Sequence, residues 1–384
     1  MNRIYLDNGA TSFPKAPGVP EAVFHFMKDI GANVGRGAYE SAIDAGMVVY
    51  ETRERLKEIF NLKGKSTQVI LVPGATYGIN MVLKGYLKKG DHVIVSSLEH
   101  NAVMRPIVGM AEEGFITFSR IPASREGLSD LSKIEELIQE NTAIVCVSHA
   151  SNVCGSIFPI EEMAKICKEK NIPFVVDASQ SAGHLHIDFD GLGLAALCMP
   201  GHKGLLGPQG IGVVILEENF AHTLKPLVVG GTGSASDKEI QPDFLPDKFE
   251  SGTTNIPGIF GLHKALEYII DRGIDDIRKH DMNLIKRFID GIKDLPIRII
   301  GGEDIDNKVG VLAVDFTGMD NAEVSLELEE EYGISTRCGL HCAPNAHKTL
   351  DTYPQGVVRF SVGYANTKED IDTAIKAIRN IVSK

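Results

Sequence analysis

The sequence predicts an α/β fold, with a large domain on a mostly parallel, doubly wound sheet and a smaller α+β domain. Three observations predict it. Between residues 68 and 216, continuous β-branched runs alternate with amphipathic helical stretches, the pattern of a parallel sheet covered on both faces. A long helical stretch over 257–294 then leads into a different order of elements. The chain's 384 residues suffice for two domains and a large core.

In order, the patterns predict a strand over 68–72, a helix over 76–87, a strand over 92–96, a helix over 131–139 and a strand over 143–147. A helix over 160–169 and strands over 173–177 and 211–216 complete this part. The long helical stretch breaks near Arg272-Gly273. Beyond it come a strand over 309–316, a helix over 322–331, strands over 334–337 and 357–362, and a helix over 368–381. With no internal repeat or low-complexity linker, the two units are expected to pack closely around a cleft, a common place for a ligand. The expected division is 15–262 for the large domain and 1–14 with 263–384 for the small one.

A net charge of −12 argues against nucleic acid or an anionic membrane surface as partner, since both require a cationic footprint. The first residues carry no apolar signal core, and no apolar run is long enough to span a bilayer. The cysteines, Cys146, Cys154, Cys167, Cys198, Cys338 and Cys342, form no Cys-x-x-Cys pair, and several sit in apolar strand-like runs. A reducing cytoplasm is the expected compartment.

The chemical residues gather where strands end. Gly201-His202-Lys203 follows the apolar segment 194–200, and Asp177 closes the run Pro173-Phe-Val-Val-Asp177. A lysine that forms a Schiff base and an aspartate that holds a pyridinium nitrogen are how a protein binds pyridoxal phosphate and tunes it as an electron sink. A solvated lysine and a strand-capping aspartate are the alternative for either residue alone. Gly74-Ala75-Thr76 opens a helix after a strand, which offers N–H groups, a helix dipole and a hydroxyl to an anion, or a plain N-cap. His100 after the strand over 92–96 can stack on a cofactor or move protons. Asn152 and Asp177-Ala-Ser-Gln180 follow two more strands. Four polar strand ends form a constellation. In Arg337-Cys-Gly-Leu-His341-Cys342-Ala-Pro344, Cys342 has basic neighbours that would favour its thiolate. Zinc binding by Cys338, His341, Cys342 and His347 lacks the usual ligand spacing, so no metal is expected. Arg359, in an otherwise apolar strand, needs either an internal carboxylate or a substrate carboxylate.

With these motifs in order, the chain resembles the cysteine desulfurases and selenocysteine lyases of the class V aminotransferase group, fold type I pyridoxal-phosphate enzymes. The resemblance runs from Tyr5-Leu-Asp-Asn-Gly-Ala-Thr to Arg359-Phe-Ser-Val-Gly-Tyr. It implies Lys203, Cys342 and His100 as catalytic residues. It implies cofactor contacts from Lys203, Asp177, Gln180, His100, Ala75, Thr76 and His202, and from Thr253 across a homodimer. It implies Asn152, Arg337 and Arg359 around the substrate carboxylate. The implied reaction takes L-cysteine to L-alanine, leaves the sulfur on Cys342 and hands it to an acceptor protein. Selenocysteine lyase, cysteine sulfinate desulfinase, another lyase or aminotransferase, and a silent scaffold are the competing expectations. Two positions depart from the family pattern. Pro200 stands where a serine is frequent, and Cys338 where a threonine is usual, which leaves open a disulfide or relay between Cys338 and Cys342.

Overall fold

The computed structural model describes residues 3–35, 37–235 and 237–384. Strands β2 (Val69–Val72), β3 (His92–Ser96), β4 (Thr117–Ile121), β5 (Thr142–Ser148), β6 (Phe174–Asp177), β7 (Ala196–Pro200) and β8 (Gly212–Leu216) form one sheet in the order β2-β8-β7-β6-β5-β3-β4. β8 is antiparallel to both its neighbours and the remaining pairs are parallel. The Val, Ile and Leu runs of β2, β3, β6 and β8 are buried throughout, as a sheet covered on both faces requires. One apolar cluster lies on each face. The expected fold class is the observed one.

Strands β9 (Arg298–Ile300), β10 (Val311–Asp315), β12 (Arg337–Gly339) and β13 (Val357–Ser361) form a second, antiparallel sheet in the order β12-β13-β10-β9. The helices Ile274–Ile292 and Lys368–Val382 cover it with their apolar sides. The predicted break in the long helix falls at Gly273, whose φ of 82° ends one helix and begins the next. β1 (Ile4–Tyr5) returns the start of the chain to this region by pairing in parallel with β11 (Ile334–Ser335).

Two elements depart from expectation. The helix expected over 131–139 is one turn, Ile134–Leu137. Asp130 captures Ser132 N at 2.9 Å in front of it, and Thr142 captures Gln139 N at 2.7 Å behind it, so side chains take the backbone groups that a longer helix would use. The strand expected over 334–337 is two strands in two sheets. Ile334 and Ser335 pair with β1, and Arg337 to Gly339 pair with β13. Thr336 lies between them, bonded to Ser325 at 2.9 Å.

The outer edge of β2 is closed by side chains. Arg53, on the helix Glu40–Ile59, donates to Val69 O and pairs with Glu250 at 2.8 Å, and Glu250 accepts from Leu71 N at 2.7 Å. Both side chains are about nine-tenths buried. A carbonyl and an N–H that would otherwise template edge pairing are thereby satisfied. Arg53→Met leaves Glu250 uncompensated and should cost about 3 kcal/mol or more, read as a lowered denaturant midpoint. A loss under about 0.5 kcal/mol would show that the edge does not depend on the pair.

Candidate active site

A cavity of about 460 Å³ opens at the carboxyl ends of β2, β3, β5, β6 and β7. Ligands bind at this edge of open α/β sheets because the loops diverge there and helix N-termini face inward. The cavity brings together Ala75, Thr76, His100, Asn152, Asp177, Gln180, His202 and Lys203, all singled out in the sequence.

Lys203 sits in the turn after β7. That turn is pinned by Gly201 N to Ile211 O at 2.9 Å and Leu206 N to Lys203 O at 2.8 Å. Gly204 is needed next to it, because a Cβ there would collide with Ala182 O. Burial lowers the Lys203 pKa to about 8. Asp177 works against that shift, and Arg359 and Arg337 reinforce it. Asp177 is buried at the end of β6 and accepts from Ser179 N at 2.9 Å.

His100 caps the helix Asn101–Glu112, its Nδ1 accepting from Ala102 N at 3.0 Å. That bond places the proton of the neutral ring on Nε2. Burial lowers its pKa to about 4. His202 is likewise held neutral, at about 4, by burial and then by Lys203 and Lys15, and its buried Nδ1 has no hydrogen-bond partner. Gln180 spends one amide N–H on Gly9 O at 3.0 Å. The helix Ala75–Tyr86 begins at Gly74 with no side-chain cap, so its first N–H groups face the cavity uncovered. Its body packs so closely on β8 that a Cβ at Gly78 would strike Val214.

Arg337, Arg359, Cys342 and Thr253 do not line this cavity. Arg359 and Arg337 stand directly opposite each other on β13 and β12, so both side chains share one face of the small sheet. Arg359 is buried, donates to Asn152 O at 2.9 Å and pairs with Asp7 at 2.7 Å. Of the two partners the sequence left open, the internal carboxylate is present. Its buried Nε remains unbonded. Arg337 is exposed and has no ion pair among the described residues.

Cys342 is exposed on a turn where both His341 (φ 49°) and Cys342 (φ 56°) are left-handed. Two bonds tie this turn to the cavity wall: Asn152 Nδ2 to His341 O at 2.6 Å and Asn101 N to Cys342 O at 2.7 Å. The expectation of a basic histidine beside the thiol is corrected. Burial drives the His341 pKa to about 3, so the ring is neutral and stacks on His347 at 5.7 Å. Cys338 follows Arg337 on β12, so the pleat turns it to the opposite face, where burial and then Asp320 raise its pKa. Both thiols are free, and no Cys338–Cys342 bridge is present. Among the described residues, no group of three or more His, Cys, Asp or Glu side chains is arranged to hold a metal. Thr253 lies exposed in another groove, with Arg53 and Glu250.

Sequence reasoning assigned no role to three residues at the site. Asp7 lay inside the quoted N-terminal motif. Lys15 donates to His202 O at 3.1 Å, and Ser12 N donates to the same oxygen at 2.9 Å, clamping the residue before Lys203. Glu99 adjoins His100 and is buried, accepting from Ser96 Oγ at 2.5 Å, Ser148 N at 2.9 Å and Ser148 Oγ at 2.7 Å. It was visible as an acid in Glu99-His100-Asn101, but its partner Ser148 lies on a strand distant in sequence.

Residues 4–373 match the family Aminotransferase class-V, and the chain belongs to that family. A protein of Methanothermobacter thermautotrophicus named "Probable cysteine desulfurase" is 33% identical, covering 99% of this chain and 95% of its own. One of the same name from Pyrococcus abyssi is 33% identical over 99% and 94%. Among solved structures, the apo cysteine desulfurase of Thermococcus onnurineus superposes with a TM-score of 0.93 at 31% identity, over 99% and 95% of the two chains. The Escherichia coli cysteine desulfurase CsdA superposes with 0.89 at 28% identity, over the same shares.

Glu99 generates a pH prediction. Burial raises its pKa from 4.5 to about 7 against the pull of its hydrogen bonds. At low pH both folded and unfolded chains carry the proton. Between about 4.5 and 7 only the unfolded chain ionises, so this residue costs the native state stability as pH rises through that window. Glu99→Gln keeps the shape and removes the penalty. Its advantage over the wild type should grow by about 3 kcal/mol between pH 4 and pH 8, measured by denaturant unfolding. A difference independent of pH would remove the assignment.

Proposed function

We propose that the chain is a pyridoxal-phosphate-dependent cysteine desulfurase that converts L-cysteine to L-alanine and takes the sulfur onto Cys342. The observation that carries this reading is the pairing of a desolvated Lys203 and Asp177 in one cavity, with a free cysteine on a turn bonded to the cavity wall. The names of the relatives support it.

The residues present fit the cofactor. Asp177 offers a carboxylate to a pyridinium nitrogen, and His100 a neutral ring to stack on the cofactor. The remaining amide N–H of Gln180 suits a phenolic oxygen. The uncovered N–H groups at Ala75 and Thr76, the Thr76 hydroxyl and the unpartnered His202 Nδ1 suit a phosphate. When bound, pyridoxal phosphate supplies an electron sink that acidifies the substrate Cα and weakens its Cβ–S bond. Asn152, Arg337 and Arg359 orient the substrate by its carboxylate. Lys203, depressed to about 8, takes the proton from Cα as the free amine. The Cys342 thiolate attacks the substrate sulfur. The Sγ–S bond forms as the Cβ–S bond breaks, the electron pair stays with the carbon fragment, and that fragment leaves as alanine after protonation.

The same reading pairs two copies, so that Thr253 of each reaches the other's phosphate. Thr253 lies outside the cavity of its own chain. The helix Glu40–Ile59 also exposes Ile43, Met47 and Tyr50, spaced as one helical stripe. The domains divide at 15–262 against 1–14 with 263–384, supported by the pairing of β1 with β11. The sulfur goes to an acceptor protein serving iron–sulfur cluster assembly in a reducing cytoplasm, supported by six free cysteines, four of them buried.

The deciding experiment incubates the purified protein with pyridoxal phosphate and L-cysteine, quantifies alanine, and locates a persulfide by mass spectrometry. Alanine and a Cys342 persulfide are expected. Lys203→Ala should abolish both. Cys342→Ala should cut alanine formation by about two orders of magnitude. Full activity in that variant would overturn the role of Cys342, and its persistence with selenocysteine alone would redirect the substrate. A second expectation concerns pH. The rate at which the apo chain takes up the cofactor should follow the free amine of Lys203, rising about tenfold per unit below pH 8 and levelling above it. A rate flat from pH 6 to 9, followed by absorbance, would contradict a lysine of that basicity.

A further inference from the structure

A second groove, of about 430 Å³, borders the Cys342 turn without sharing the cavity of Lys203. Its walls are the helices Asn101–Glu112 and Pro344–Thr349, with Met104, Val108 and Pro344 as its apolar lining. Its place beside the thiol is fixed. Asn101 N donates to Cys342 O at 2.7 Å, and Asn345 Nδ2 to Ser97 O at 2.7 Å, so both walls are bonded to the segments that carry the turn.

Arg105, Arg120 and Lys348 are exposed on the rim. Among the described residues none of them has an ion pair. Arg120 lies over the Phe118 ring at 4.7 Å and Lys348 over the Tyr353 ring at 5.2 Å, contacts that steady the cations without neutralising them. Glu112 is the one exposed acid of the groove, which leaves an excess of positive charge on a chain of net −12. Buried Glu99 is engaged by Ser96 and Ser148 and does not project a free carboxylate into the groove. An apolar lining with a cationic rim suits a polypeptide with acidic and apolar side chains.

We propose that this groove docks an acidic segment of the protein that removes the sulfur from Cys342. The proposal rests on the desulfurase reading. In the transfer the acceptor's thiolate attacks the outer sulfur of the Cys342 persulfide. A new S–S bond forms as the Sγ–S bond breaks, and Cys342 leaves as thiolate, with no outside oxidant or reductant.

The test supplies the holoenzyme and L-cysteine with one of three acceptors: a peptide of Glu and Leu around a single Cys, the same peptide with Lys for Glu, or dithiothreitol. The acidic peptide should accept sulfur about tenfold faster than the basic one at low salt, and the advantage should shrink at high salt. Anisotropy of the labelled peptides, with Ser for Cys, should show the same order without turnover. Combined Arg105→Glu, Arg120→Glu and Lys348→Glu should erase the advantage and leave the rate with dithiothreitol unchanged. Equal rates for the two peptides, or an advantage that survives the charge reversal, overturns the proposal. So does a change of oligomeric mass in the reversed variant, which would make a second copy the occupant. Should the triple variant not fold, Arg105→Glu and Lys348→Glu singly should each reduce the advantage, and full retention in both overturns the proposal. Absence of alanine with dithiothreitol instead defeats the desulfurase reading itself.

Discussion

The proposed chemistry depends on a poorly solvated amine that shares its cavity with a carboxylate. Burial lowers the basicity of Lys203, and Asp177 restores part of it. The two arginines of the small sheet push the other way, and Asp7 offsets them by pairing with one. The basicity of Lys203 is thus set by groups from both sheets and from the N-terminal segment. That segment is bonded across the site at three points: Asp7 to Arg359, Gly9 O to Gln180, and Ser12 and Lys15 to His202 O. Loosening it would alter the field at the amine without touching the amine.

Cys342 obeys a different constraint. Cys342 sits outside the cavity on an exposed turn, which the proposed transfer to an acceptor requires, since a thiol that hands on sulfur has to be reachable. Two consecutive left-handed residues make the turn project, at about 1 kcal/mol each or more. Bonds from Asn152 and from the start of the helix Asn101–Glu112 hold it, and both of those elements also shape the cavity. The turn is therefore placed relative to Lys203 by the same residues that surround Lys203.

What the sequence made legible follows from locality. β3, β5 and β6 were visible because buried strands of a parallel sheet read as unbroken β-branched runs; Asp177 was visible because it closes one, and His100 and Asn152 because they follow the others closely. The helix Glu40–Ile59 was not, since exposed Ile43, Met47 and Tyr50 blur its period. The Asp7–Arg359 pair joins residues at opposite ends of the chain, so the sequence could state that Arg359 needs an anion without choosing it. The neutrality of His341 was hidden for the same reason. Its place beside Cys342 is plain in the sequence, whereas the burial that makes the ring neutral comes from tertiary packing.

The pairing of Arg337 with Arg359 shows where the fold gives up stability. Like charges directly opposite on two strands repel, and a sheet optimised for folding would place an acid at one of them. Asp7 neutralises one guanidinium, the other stays exposed and unpaired, and a buried Nε of Arg359 remains without a partner. Such a local violation persists only if something repays it. Under the proposed function the repayment comes from outside the chain, in the substrate carboxylate that Arg337 and Arg359 orient. On that reading the small sheet is complete as a fold and incomplete as an electrostatic structure until the substrate binds.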